Sequence, residues 1–125
     1  MDAAQVTAWI GAYERAWRTA GTDALDELFT ADAIYSQGPY DEPVTGLASI
    51  KRMWEAERVG PDEVFTMTSA IIAVDPPVAV ARIEVHYGDP VTQAYRDLWV
   101  MRFAADGRCE SFEEWPFWPG EPHSA

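Results

Sequence analysis

The sequence predicts an α+β domain in which three N-terminal helices cover one face of a curved antiparallel or mixed sheet, shaped like a cone. Helical periodicity is confined to the first half of the 125 residues, and strand alternation takes over from about residue 63. The stretch Tyr95–Phe117 is two alternating runs divided by Asp106-Gly107, a dipeptide that tolerates the positive φ angles of a tight hairpin turn. Helices first and strands afterwards, rather than in alternation, indicate helices segregated to one side of an antiparallel sheet.

Val6, Ile10, Tyr13 and Trp17 recur at helical spacing, with Trp9 and Ala16 widening the stripe, so residues 3–20 read as an amphipathic helix stopped by Gly21. Thr22 or Asp23 can cap a second, short helix through Leu25, Leu28 and Phe29. Residues 33–37 read as a strand with Tyr35 and Gln37 on one face, and 38–46, with two prolines, two glycines and the pair Asp41-Glu42, as a loop. If that loop folds over the mouth of the cone, Tyr40 and Asp41 become lid residues. A third helix over 47–58 turns Ile50, Met53 and Trp54 inward and stops at Gly60-Pro61. Residues 63–74 and 78–87 form strands around Asp75-Pro76-Pro77, and residues 88–93 lead into the closing hairpin. The last residues, 119–125, are expected to be loose.

With Asp106-Gly107 as the turn, Phe103 faces Glu110, Met101 faces Phe112 and Trp99 faces Glu114. One face of the hairpin then holds Asp97, Trp99, Met101, Phe103, Phe112 and Glu114, and the other Leu98, Val100, Arg102, Ser111, Glu113 and Trp115. Asp97 and Glu114 become diagonal neighbours, roughly 7–8 Å apart at the backbone. A carboxylate among aromatic rings either sits in a pocket with a raised pKa or escapes to the rim, in water or against an arginine such as Arg96 or Arg108. On residues 78–87, Arg82, Glu84 and His86 share one face, opposite Ala79, Ala81, Ile83, Val85 and Tyr87. Phe65, Met67, Ile71 and Ala73 are expected to extend that apolar face. The simpler reading makes the apolar face core and turns Arg82 and Glu84 to solvent or a partner; the alternative turns them into the pocket.

An apolar fraction of 48% with 13% aromatics excludes a disordered chain, and the length supports a core without disulfide or metal staples. A formal charge of −12 argues against nucleic acid or an anionic membrane as partner. It favours a cationic or neutral small one. Cys109 is the sole cysteine and alternates onto the face of Trp115, which suits a structural role and a cytoplasmic setting. The first eleven residues carry an acid where a signal peptide needs basic residues, and no apolar run approaches ~20 residues. With two histidines, one of them His123 in the tail, no cluster has metal-ligand spacing.

Across residues 5–118 the sequence resembles the SnoaL-like branch of the nuclear transport factor two superfamily, whose fold is a cystatin-like roll. The resemblance lies in the aromatic pair Tyr13 and Trp17, the L-F-T-x-D-A-x-Y passage at 28–35, Gly46 before the third helix, and G-R-x-x-x-F-x-E-W from Gly107 to Trp115. That superfamily holds steroid isomerases, polyketide cyclases, dehydratases, epoxide hydrolases and many non-catalytic domains. A narrower likeness is to limonene-epoxide-hydrolase-like proteins. Their tyrosine and amide two apart, Arg-x-Asp and final Asp correspond here to Tyr35 and Gln37, Arg82-Ile83-Glu84, and Glu114, with Glu and Gln in place of Asp and Asn. This resemblance implies two carboxylates bridged by an arginine sharing acid and base roles, while a tyrosine and an amide hold the attacking water.

The resulting expectation is a pocket for a compact, mostly apolar molecule, with hydrolysis, isomerisation or cyclisation carried by acid/base chemistry and no organic or metal cofactor. Glu114 is the acid/base, Asp97 or Glu84 its partner and Arg82 the orienting charge. Tyr35 and Gln37 position water or a carbonyl, and Tyr13, Trp17, Trp54, Trp99, Met101 and Phe112 line the walls. The alternative is a non-catalytic ligand-binding or dimerisation module, and a homodimer through the exposed sheet face is expected in either case. A cone packed shut by Trp17, Trp54 and Trp99 favours the module. An open cavity of roughly 300 Å³ or more, with the acids at its floor, favours the pocket.

Overall fold

The computed structural model describes residues 1–120; the expectation of a loose tail falls mostly on 121–125, outside the described residues, as does His123. The chain runs α1 (Ala3–Arg18), α2 (Leu25–Leu28), β1 (Phe29–Ser36), β2 (Val44–Thr45), α3 (Leu47–Glu57), β3 (Phe65–Asp75), β4 (Val78–Tyr87), β5 (Gln93–Phe103) and β6 (Cys109–Phe117). The strands form one sheet in the order β2-β1-β6-β5-β4-β3. Every neighbouring pair is antiparallel except β1 with β6, so the sheet is mixed, as expected.

The helices begin and end for local reasons. Asp2 accepts from the Gln5 backbone N–H at 2.8 Å while the Gln5 side chain accepts from the Asp2 N–H at 2.8 Å, a reciprocal cap that opens α1. Neither Thr22 nor Asp23 caps α2 through its side chain. Turns already formed upstream lead into it, with Leu25 N–H donating to Thr22 O at 3.1 Å. Val6, Trp9, Ile10, Tyr13 and Ala16 bury one stripe of α1, and Ile50 and Trp54 one stripe of α3, so both amphipathic readings hold.

The sheet departs from strict alternation in three places. β1 starts at Phe29 rather than residue 33 because Phe29 pairs with Cys109 of β6, and β2 forms inside the expected loop by pairing Ile34 with Thr45. In β3 the register shifts between Ile71 and Ala73, which leaves Ala73 exposed and turns Val74 toward the core instead. At the hairpin the turn is longer than Asp106-Gly107: Gly107 N–H donates to Ala104 O at 3.0 Å and Ala104 N–H to Arg108 O at 2.8 Å. Gly107, at φ +89°, occupies the left-handed position. A register shift follows, so Phe103 pairs with Cys109, not Glu110, and Cys109 is buried in the core rather than on the face of Trp115. The register recovers with Met101 opposite Phe112 and Trp99 opposite Glu114. That places Asp97 and Glu114 on the expected diagonal.

The core lies between the helices and the concave face of the sheet. Trp54, Phe29, Phe112, Leu25, Ile50, Ile83 and Met101 are its largest fully buried side chains. Trp9 meets Phe29 and Phe103 edge-on, at centroid distances of 5.6 and 5.5 Å. This packing fills the β1 end of the cone and leaves space toward β3.

Candidate functional site

The unfilled space is a cavity of about 540 Å³ between α1, α3 and the inward faces of β3 to β6. Tyr13 and Trp17 of α1 stand one turn apart over it, Met53 and Glu57 of α3 likewise, and Phe65, Met67, Val85 and Tyr87 form the far wall. Asp97, Trp99 and Glu114 belong to the sheet floor, with Tyr95 and Pro116 beside them. Tyr35, Gln37, Glu63 and Gln93 complete the lining.

A chain of hydroxyls leads from the helix to the floor. Tyr13 and Tyr35 share a hydrogen bond of 2.7 Å, and the Tyr35 hydroxyl donates to Glu114 Oε1 across a long 3.5 Å. Tyr13 is held by Trp99 at 4.6 Å, Trp54 at 4.9 Å and a stacked Phe112 at 5.6 Å between ring centroids. Burial pushes both phenols well above their ordinary pKa, helped by the charge of Glu114. They therefore stay protonated and serve as donors. Nearer the surface, Gln37 Nε2 donates to Glu57 Oε2 at 2.6 Å and Trp17 Nε1 to Glu63 Oε1 at 3.2 Å.

The two floor carboxyls are strongly perturbed. Loss of water raises the Glu114 carboxyl from 4.5 to about 8, with Asp97 and Glu57 adding repulsion and the Tyr35 hydroxyl partly opposing it. Loss of water likewise raises Asp97 from 3.8 to about 6, an effect partly opposed by the Trp99 indole. That opposition is incomplete, because among the described residues Asp97 Oδ1 and Trp99 Nε1 are both buried without a well-formed hydrogen bond. Near neutral pH, Glu114 is mostly protonated and Asp97 mostly ionised. Two carboxyls with separated pKa values can divide acid and base roles between them.

The SnoaL-like domain model matches residues 10–112, most of the chain. The protein belongs to the SnoaL-like family. No curated protein matches this SnoaL-like chain. Several solved structures share its fold. An epoxide hydrolase/cyclase-like enzyme, SalBIII, of pyran ring formation in polyether salinomycin superposes with TM-score 0.73 at 14% identity, over 95% of this chain and 94% of that one. A protein of unknown function with a cystatin-like fold from Methylobium petroleophilum gives TM-score 0.70 at 16% identity, over 99% and 81% of the two chains. A ketosteroid isomerase-like protein from Erwinia carotovora atroseptica gives 0.65 at 21% identity, over 93% and 96%. At these identities the likeness is one of fold, which hosts many unrelated functions.

The SnoaL-like cavity gathers Glu114, Asp97, Tyr13, Trp17, Tyr35, Gln37 and Trp99 from the residues expected there. Trp54, Met101 and Phe112 do not reach it; they are fully buried behind the lining and support it. Arg82 and Glu84 lie on the opposite face of the sheet, because β4 buries Ala79, Ala81, Ile83 and Val85 toward the helices and strand alternation sends Arg82 and Glu84 outward. Glu84 pairs there with Arg96 at 2.9 Å, so neither residue can bridge or orient the floor carboxyls. Tyr40 is fully exposed and neither it nor Asp41 lines the cavity, which removes the lid expectation.

The lining residues not expected from the sequence are Met53, Glu57, Glu63, Phe65, Met67, Val85, Tyr87, Gln93, Tyr95 and Pro116. Met53, Phe65, Met67, Val85 and Tyr87 are among the positions that the periodicity already turns inward or onto the apolar face. The role of Glu63 as acceptor for Trp17 joins residues 46 apart in sequence and left no local signal. Among the described residues no three His, Cys, Asp or Glu side chains are arranged to hold a metal ion, and no helix is long and apolar enough to cross a membrane.

Proposed function

We propose that this SnoaL-like domain binds a compact, mostly apolar molecule and performs acid/base chemistry on it with its own carboxyls. The observation that carries this reading is the diagonal pair at the cavity floor, with Glu114 at about 8 and Asp97 at about 6. Glu114 donates its proton to an oxygen of the ligand, a carbonyl or the leaving oxygen of a strained ether. Asp97 accepts a proton from the attacking water, a ligand hydroxyl or an acidic C–H, so the pair gives one proton and gains another in each turnover. Tyr35, braced by Tyr13, holds the Glu114 carboxyl, and Gln37 is tied to Glu57 near the entrance. Hydrolysis, isomerisation and cyclisation are all within reach of this pair. Arg82 and Glu84 have no part in it.

The test is a carboxyl-carbon NMR titration, followed by a screen of epoxides and ketones. Glu114 is expected to titrate near 8 and Asp97 near 6. Two carboxyls that both titrate like solvated ones, at ~4, would sink the acid/base reading. Any turnover found should be lost in Glu114→Gln, which preserves shape but has no proton to transfer.

A homodimer is the second part of the proposal. The outer face carries half-buried Val80, Leu98, Val100 and Trp115 beside the ion pairs Arg96–Glu84 and Arg102–Glu110. Such an apolar strip with both signs of charge is self-complementary about a two-fold axis. A monomer mass in sedimentation equilibrium at tens of micromolar would rule it out.

A further inference from the structure

Among the described residues four carboxyl groups line the cavity, Glu57, Glu63, Asp97 and Glu114, and no lysine, arginine or histidine does. The cations nearest in sequence are engaged elsewhere. Arg18 bonds Glu14 and the Phe65 carbonyl, Arg58 bonds Glu55 and the carbonyls of Thr19 and Gly21, and Arg96 bonds Glu84. The hydrogen bonds that Glu57, Glu63 and Glu114 do receive come from Gln37, Trp17 and Tyr35, which are neutral. They satisfy oxygens without cancelling charge. Asp97 is served less well: the residue is 8% exposed, the neighbouring Trp99 indole offsets its burial only in part, and among the described residues its Oδ1 has no partner of good geometry. A buried acceptor left unpaired is rare and costly, and one in a cavity wall calls for a donor from outside the chain.

We infer that the cavity selects an organic cation, a compact aromatic or alicyclic molecule carrying a protonated amine. The inference rests on the pocket reading above and names its ligand class. A neutral apolar ligand would gain from burial but leave Asp97 unpaired, and an anion would meet the like charge of Asp97 on the floor. An ammonium group brings both charge and N–H donors to Asp97 and Glu114. The rings of Trp17, Tyr87, Tyr95 and Trp99 line the same space and offer cation–π contacts to it. A carboxylate-lined cleft with low-dielectric walls also concentrates cations from solution, the more so in a chain of net charge −12.

The experiment uses three probes that share an indole and differ in charge: tryptamine, the neutral alcohol tryptophol, and indole-3-acetate. Binding to the full chain is followed through the indole N–H signals of Trp17 and Trp99. Tryptamine is expected to bind on the order of tenfold more tightly than tryptophol, with indole-3-acetate weakest. The advantage should narrow in Asp97→Asn, which keeps the side-chain shape, and should partly survive high salt because Asp97 is buried. Tryptophol or indole-3-acetate binding as tightly as tryptamine would overturn the inference while leaving the pocket intact. An advantage undiminished in Asp97→Asn, or one abolished by salt, would overturn it as a mere surface-charge effect. Failure of all three probes to move either indole signal at millimolar concentration would also overturn it, and the carboxyl titration would still decide the acid/base reading separately.

Discussion

Glu114 and Asp97 sit two rungs apart on neighbouring strands, Asp97 buried and Glu114 half-buried beside aromatic side chains that line the same cavity. Their folded pKa values, about 8 and about 6, both exceed their ordinary ones, so between pH ~4 and ~8 the folded chain binds more protons than the unfolded chain. Their contribution to stability is therefore fully present at acid pH and is lost as pH rises, first through the Asp97 value and then through that of Glu114. Asp106, held low by Arg108, works in the opposite direction at low pH, but it is fully exposed and its effect is small. Denaturant unfolding should show wild-type stability falling from pH 5 to 9. Glu114→Gln should flatten that fall and be the more stable protein at pH 9, by roughly 2–4 kcal/mol. Equal slopes in the two proteins would mean that Glu114 is solvated. Trp54 makes a different residue-scale case. It is fully buried edge-on to Tyr13 and Trp17, yet among the described residues its Nε1 has no partner. Trp54→Ala should cost about 3–5 kcal/mol. Trp54→Phe should cost far less, because it also removes the unpaired donor.

At the scale of elements, two glycines separate backbone strain from steric room. Gly107 in the β5–β6 turn and Gly88 after β4 have φ near +90°, but a Cβ at Gly107 would meet nothing, whereas at Gly88 it would lie 3.0 Å from both Pro90 O and Thr92 Oγ1. Gly107→Ala should cost about 1 kcal/mol from the left-handed backbone alone. Gly88→Ala should cost more and should also disturb binding, since its loop feeds Gln93 and Tyr95 into the cavity lining. Thermal melts of the two variants compare them directly, and equal losses would mean the Gly88 loop yields freely. The bulges at Ile71–Ala73 and at the hairpin matter for the same reason. Each inserts one residue and inverts which side chains face the helices beyond it.

For the whole molecule, the division between packed core and open cavity follows from where the large side chains fall. Trp9, Phe29, Phe103 and Phe112 crowd one end of the cone, while the β3 end is walled by residues that reach only partway across. The negative charge is general as well as local. Raising ionic strength should stabilise the chain by screening its net −12. A salt-independent melting temperature at neutral pH would show that the acids are already balanced in space by the nine basic residues. The outer sheet face, with its apolar strip and paired charges, is where a second copy is expected.

The α+β class, the helical stripes of α1 and α3, and the strand meander were legible in the order of the residues alone. These depend on periodicity and turn chemistry that act within a few residues. That order also put Asp97 and Glu114 on one face, because the register between Trp99 and Glu114 survived the longer turn. That Arg82 and Glu84 face outward is settled by the folded chain, since alternation says which residues share a face but not which face the helices cover. It alone showed that Trp54, Met101 and Phe112 support the cavity instead of lining it, and that Glu57 and Glu63 join the floor acids around a space that no basic side chain lines among the described residues. Depth and charge balance are sums over elements far apart in the chain, and no local pattern of residues encodes them.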